Sequence, residues 1–487
     1  MRQTCAMVGL ALLTGIAGGA GTESLNADVR NDRATTASGG GVTGPDVIVG
    51  QVGLDPGDFF GSFVNYPSAN GYRSYAVNTT SCNVGDAPLS WRDGTLEMPD
   101  KRHPVIAQNM YRYADGRIEM VGMSWLKHGF CATTFDLCGT CNVPLDCDFL
   151  FPGCSDPYSA GTNGNNQSRL GPRYEVNALT GDFPFPADTE SAPVSDSTYR
   201  RLRVAEQYVE AASNPNATWF VEVQYIAADD AAAGNDLNNA SYRKAMLDTD
   251  GSLLNFDGPT VQELPAIMAW PTLDPNATVV AVDVPGEGRL HLGYAAHDLG
   301  DGRWAYEYAI HNLNSDRAAG GLRVPVSEDT CITEIGFHDV EYIAGEPYDD
   351  TDWSTSQMAG ELRWASASFA TDPNANAVRW GTMYNYRFIA NAPPIVTPVT
   401  IEIFKPGATN EMTVMAIAPQ TPCAADCAPS GGNGTVNIDD LIAAINEFGM
   451  TESDCDITPV NADCTTGNAI VNIDDVIATI NAFGPCP

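Results

Sequence analysis

The chain has 487 residues and carries 61 Asp plus Glu against 25 Lys plus Arg, a formal charge of −36 at pH 7. That length exceeds one small domain, and so acidic a surface lacks the bases needed to displace counterions from phosphate, which excludes nucleic acid as a principal partner. With 44% apolar residues, 46 Gly, 32 Pro and only 18% charged residues, the composition suits a turn-rich, β-dominated protein and excludes a helical bundle or a disordered chain.

Arg2 precedes an apolar run from Cys5 to Ala17, followed by Gly18, Gly19, Ala20 and Gly21, the pattern of a secretory signal spanning 1–20. No later stretch is long and apolar enough for a transmembrane segment. The expected location is therefore secreted, extracellular or at the cell surface. Residues 21–45 are polar and rich in Gly, Thr and Ser, a flexible leader. Apart from Cys5, twelve cysteines remain, an even number that outside the cell points to disulfides. The loop from Cys131 to Cys154 is expected to be bridged internally. Cys138-Gly-Thr-Cys141 also has zinc-knuckle spacing, with Cys131, Cys147 and Cys154 to complete four ligands; a stapled loop is the better reading in an oxidising compartment.

Residues 46–258 read as a β-rich region with this Cys-rich loop inside it. Asp46 to Gly50, Val105 to Tyr113, Arg117 to Trp125 and Thr218 to Ile226 are strand candidates, bounded by turn formers. A β-sandwich-like domain is expected over 259–405, from the segments Thr278 to Val284, Arg289 to Asp298, Arg303 to Leu313, Ile332 to Ile343, Ala377 to Ala390 and Val396 to Phe404. Its central hairpin can be registered. A Gly300-Asp301-Gly302 loop, with Gly302 at positive φ, puts Leu290, Leu292, Tyr294 and Ala296 on one face with Trp304, Tyr306, Tyr308 and Ile310. His291 then stands opposite His311 on the other face, with Glu307 beside them, the makings of a metal or polar site, although scattered surface histidines are the plainer reading.

After a polar linker at 406–422 comes a duplication over 423–487. Asn437 to Gly449 (NIDDLIAAINEFG) and Asn472 to Gly484 (NIDDVIATINAFG) match at ten of thirteen positions with a 35-residue offset. Each copy is a turn-forming stretch, an acidic pair and a short amphipathic helix. Leu441, Ile442, Ile445 and Phe448 form one stripe, and Val476, Ile477, Ile480 and Phe483 the other. The two stripes are expected to pack face to face. The 65 residues hold ten acids and no Lys or Arg.

This module resembles a type I dockerin, in the variant with cysteines near its helix ends, here Cys486. The resemblance implies paired calcium loops and docking onto a cohesin-like or cell-surface partner. Counting back from Asp440 as the twelfth loop position, the implied ligands are Asn437, the Thr435 carbonyl and Asn433, with Asp426 reached only through a longer loop. The second copy offers Asp475, Asn472, the Ile470 carbonyl, Asn468 and Asp456, with Ala469 in place of the turn glycine. Calcium takes six to eight oxygens, and the first loop is the better candidate. The remainder is similar to large secreted bacterial proteins bearing such terminal modules, a resemblance that carries no activity.

Other chemistry is weaker. Ser124 to Cys131 (SWLKHGFC) resembles the second active-site segment of T2-type ribonucleases, which would use His128 and Lys127. The partner segment is missing, His103 has a different context, and the acidic charge opposes RNA. Two carboxylates about 5–9.5 Å apart would suit glycoside hydrolysis, but no pair stands out among 61 acids. Trp304, Tyr306 and Tyr348 could stack on sugars, though core packing is the commoner use of inward aromatics. The sequence reading is a mainly β, disulfide-stapled protein with antiparallel sandwich-type domains and a small helical C-terminal module. Its expected role is non-catalytic attachment to an extracellular assembly; the alternative is a polysaccharide-active enzyme or glycan-binding protein with the same anchor.

Overall fold

Thr218–Ile226, a run of aromatic and β-branched residues, lies inside the largest sheet, between Val105–Ala114 and Ala240–Leu247. The computed structural model describes residues 42–53, 63–94, 99–188, 196–328, 330–421 and 423–486. The expected signal at 1–20 and the leader up to residue 41 lie outside them. Among the described residues, no helix is long and apolar enough to cross a membrane. The path of this N-terminal sheet runs Leu254–Val261, Ala240–Leu247, Thr218–Ile226, Val105–Ala114, Arg117–Met123, Leu202–Ala205, Tyr72–Val77, Phe63–Ala69. A small sheet of Val47–Val52, Thr79–Asn83 and Ser155–Tyr158 shares a core with one face of it, through Val47, Val49, Met110, Val221 and Tyr225.

The Cys-rich stretch has few aliphatic residues to bury, and covalent bonds hold it instead. Cys131–Cys147 and Cys141–Cys154 bridge it internally, and Cys82–Cys138 fastens it to the strand Thr79–Asn83. Cys331–Cys464, Cys423–Cys486 and Cys427–Cys455 pair the rest. With every sulfur of the loop in a disulfide, no thiolate is left for zinc.

Beyond residue 259 the chain builds two five-stranded antiparallel sheets. The inner sheet runs Thr278–Val284, Gly288–Asp298, Trp304–Asn312, Thr382–Ala390, Ile332–His338. The outer sheet runs Ser354–Met358, Glu361–Ala365, Ala319–Pro325, Pro394–Ile403, Glu411–Pro419. Aromatic side chains knit the two together. Trp364 of the outer sheet meets Tyr386 and Phe388 of the inner one, and the Tyr308 hydroxyl donates to the Ile417 carbonyl at 2.8 Å, while within the inner sheet Tyr306 stacks on Phe388 at 4.9 Å. The hairpin has the expected register: Leu292 pairs with Ile310, Tyr294 with Tyr308 and His291 with His311, and Gly302 sits at φ +82°.

The second face of that hairpin is not a surface. It packs against the N-terminal sheet, and one core cluster runs from Tyr111, Ile118 and Phe220 through Leu290 and Tyr308 to Trp364 and Val399. Gly293 leaves room for the buried Trp270, whose ring would meet a Cβ there at 3.0 Å. Polar groups fasten the layers: Asn385 donates to the Ile118 carbonyl (2.7 Å), Gln224 to the Leu313 carbonyl (2.8 Å), and Arg117 pairs with Glu307 at 2.9 Å. Two expected boundaries need correction accordingly. The division at 258/259 falls within the strand Leu254–Val261, and the linker expected at 406–422 contains the edge strand Glu411–Pro419.

Only three residues, 420–422, separate that edge strand from the C-terminal module, and Cys331–Cys464 supplies a second covalent tie to the inner-sheet side. Arg303 adds a hydrogen bond to the Asp463 carbonyl at 3.3 Å. Replacing Cys331 and Cys464 together by serine is expected to leave the module folded on its own two disulfides yet free to reorient. Backbone NMR relaxation of 423–486 would read this as faster independent tumbling. Unchanged relaxation would mean that the non-covalent contacts hold the module alone.

Candidate functional site

Each C-terminal helix starts at a carboxylate turned back on its own loop. In Ile438–Asn446, Asp440 is fully buried and accepts the Asn437 N–H (2.7 Å) and the Ala428 N–H (2.8 Å), while the Asn437 side chain accepts the Asp439 N–H. This is a capping box. In Ile473–Asn481, Asp475 accepts the N–H groups of Asn472, Ile457 and Thr458 and the Thr458 hydroxyl. Burial works to raise the Asp475 carboxyl, but these hydrogen bonds win and hold it below the usual range.

The other expected ligands follow the same repeat. Asp426 accepts the N–H groups of Asn433 and Gly434, and Asp456 accepts that of Asn468. The amides of Asn437 and Asn472 reach the carbonyls of Thr435 and Ile470. Asp426 and Asp456 are therefore equivalent, one at the start of each loop, although they lie fourteen and nineteen residues before the helix carboxylates. A twelve-residue count back from Asp440 and Asp475 ends instead on Pro429 and Cys464, whose side chains offer no oxygen. Ala469 adopts the left-handed conformation of Gly434, at φ +68° against +83°, at a strain of about 1–2 kcal/mol for an L-residue. Asp426 also converges with Cys423 and Cys486, but those sulfurs form a disulfide.

The helices do not bury their apolar stripes against each other. They meet through small groups, with Ala444, Val471, Val476, Leu441, Cys427 and Cys455 in the module's core. Ile438, Ile442, Ile445 and Phe448, and in the second copy Ile473, Ile477, Ile480 and Phe483, remain 48–57% exposed. Residues spaced three and four apart share a helix face, so each copy presents the same ridge of three isoleucines ending in a phenylalanine. The expected face-to-face packing fails because two disulfides and two buried carboxylates close the module without those side chains. The signal was legible in the sequence: a helix of nine residues with Ile at its first position and every three or four thereafter also carries a second inward row, Asp440, Leu441 and Ala444.

The remaining candidates are interior. His128 and Lys127 are buried; His128 Nδ1 lies 3.0 Å from His103 Nε2, with Phe183 and Phe185 packed on the pair, and Lys127 donates to the His128 carbonyl. Nothing there reaches solvent as a nuclease site must. His291 and His311 touch through their Nδ1 atoms at 3.3 Å, enclosed between the layers rather than scattered on a surface. Tyr306 is core, and Tyr348 lies at the edge of the same core cluster, against Tyr342 and beneath Arg379.

Burial lowers all four of these histidines, His103 to about 4. Their folded values lie below the unfolded one, so the stability they contribute is complete above about pH 6.5 and is lost as pH falls from there. Burial pushes Glu307 up to about 7 against the pull of Arg117. Its contribution is complete below its unfolded value and is lost as pH rises through about 7. The two effects oppose each other between about pH 4.3 and 6.5. NMR of the imidazole rings is expected to show no titration of His103, His128, His291 or His311 near 6.5; a normal curve for any of them would contradict its burial.

No family model and no curated protein matches this chain. Among solved structures, it is similar to the N-terminal domain of a Streptococcus gordonii adhesin at 6% identity, over 70% of this chain and 62% of that one, less than two thirds of its length, with a TM-score of 0.16.

Proposed function

We propose that this is a secreted or cell-surface, non-catalytic protein held in an extracellular assembly by residues 423–487. The observation that carries the reading is the pair of exposed Ile/Phe ridges, repeated on both helices of a module already closed by disulfides. Exposed apolar patches of this kind mark interaction surfaces. The module holds ten acids and no base, so the partner suited to it offers an apolar platform with basic residues at its rim, as a cohesin-like domain would. Six disulfides and the absence of a long apolar helix among the described residues are compatible with that location.

By chemistry the donor set of both loops suits calcium, being all oxygen: Asp426, Asn433, the Thr435 carbonyl, Asn437 and Asp440, then Asp456, Asn468, the Ile470 carbonyl, Asn472 and Asp475, of which the four carboxylates accept backbone N–H groups in this structure. A divalent cation would relieve the repulsion among the ten acids and couple module folding to binding. The test is melting of the full chain in calcium and in chelator, together with its binding to recombinant type I cohesin domains. A calcium-dependent rise in Tm and calcium-dependent binding support the reading; coincident melting curves remove the calcium claim. Asp440→Ala is expected to weaken the module by about 1 kcal/mol even in chelator, since two partly buried N–H groups lose their acceptor, and to abolish the calcium increment. Hydrogen exchange at Ala428 and Asn437 reads the first effect directly.

A further inference from the structure

Where the N-terminal sheet meets the end of Ile332–His338, the two layers part to leave a cleft of about 350 Å³, large enough for a small ligand. Tyr208 and Phe337 line it together with Arg203, Asp339, Glu341 and Asp352. Arg203 is the one base on these walls, and it is already committed. Its guanidinium pairs with Glu341 at 2.7 Å and lies 3.6 Å over the Tyr72 ring, while the Tyr72 hydroxyl donates to the other Glu341 oxygen at 2.5 Å. His338 also lines the cleft; burial lowers its imidazole below the usual value, and its Nε2 is engaged with the Met120 carbonyl at 3.1 Å. Among the described residues, no cation pairs with Asp339 or Asp352. Asp339 holds the Asn376 amide, and burial, reinforced by Asp352 and Asp350, pushes its carboxyl up to about 6.

We propose that this cleft binds a small organic cation, an ammonium or guanidinium group, held by Asp339 and Asp352 with its apolar side against Tyr208 and Phe337. An anion would be repelled by the three carboxylates. A bare metal ion fits poorly, because among the described residues no three carboxylate or imidazole groups of the cleft converge within 4.8 Å, whereas calcium draws six to eight oxygens around one point. An organic cation spans carboxylates that stand apart, and its apolar part can lie against Tyr208 and Phe337, one face of each ring being taken already by Arg112 and Trp353. The cleft is remote in sequence from the C-terminal module, and this inference does not depend on the docking role.

The test is calorimetric titration of the full chain with methylguanidinium and glucosamine, and with glucose as the neutral counterpart. The cations are expected to bind and glucose not to. Asp352→Asn, at an exposed carboxylate whose loss the fold tolerates, should weaken cation binding about tenfold or more. Asp339→Asn should do the same. The proposal is overturned if neither cation binds more tightly than about 50 mM, or if Asp352→Asn binds as the parent does. Glucose binding as tightly as glucosamine overturns it too, because the cleft would then select a sugar without regard to charge.

Discussion

Replacing Arg173 by methionine is expected to lower the stability of the folded chain by about 3–5 kcal/mol, since four buried acceptors lose their donor at about 1 kcal/mol or more each. The guanidinium is fully enclosed between the N-terminal and inner sheets, and burial pulls it down to about 10. Its donors reach the carbonyls of Ser124 (2.8 Å), Gly381 (3.1 Å) and Gln108 (3.2 Å) and the side-chain oxygen of Asn109 (2.7 Å). Gly381 belongs to the sandwich and the other three to the N-terminal region, so one side chain stitches both layers. Glu222, also buried, is satisfied separately by Asn109, Tyr111 and the Ala266 N–H. Methionine fills similar volume but leaves those acceptors dry. Arg173→Lys should recover only part of the loss, because one ammonium cannot span four acceptors held by a planar fork. Guanidinium-induced unfolding of the three proteins makes the comparison. A loss below about 1 kcal/mol for Arg173→Met would mean that water satisfies these carbonyls equally well.

The second large effect is expected in binding with stability unchanged. Ile445→Ser together with Ile480→Ser removes the centre of both exposed ridges. On the docking role proposed for residues 423–487, affinity of the full chain for a type I cohesin domain should fall about a hundredfold, near 2.7 kcal/mol, since interface energy concentrates in a few apolar anchors. The melting temperature in calcium should hardly move, because surface substitutions away from packed features stay within about 0.5 kcal/mol. Titration of parent and double variant against the same cohesin, beside their melting curves, separates the outcomes. Collapse of the module would show these isoleucines to be core; retained affinity would place docking elsewhere on the molecule.

The strands that were legible share one physical trait. All five strands of the inner sheet were visible as apolar or aromatic runs, and its three central strands are covered on both faces, so that both rows of their side chains must be compatible with burial. Of the outer sheet only Pro394–Ile403 was found. Ser354–Met358 is exposed at every residue and Glu411–Pro419 alternates with an open face, so neither carries enough local signal to separate strand from loop. The hairpin register was readable because alternation and a glycine-rich turn are properties of neighbouring residues. Its consequence was not: His291, Glu307 and His311 looked like a solvent face until the N-terminal sheet was laid over them.

By itself the sequence determined the β class, the oxidised state of the cysteines, the hairpin register and the duplicated loop-helix pattern, each a matter of composition, spacing or period within a short window. The tertiary structure decided which cysteine meets which, as Cys331 with Cys464 across 133 residues, which acids cap a helix while others line a cleft, and which stripe of each C-terminal helix faces water. Those outcomes depend on what distant segments bring to a face. An apolar stripe records that burial is favourable, and only the surrounding chain determines whether the molecule covers it or leaves it for a partner.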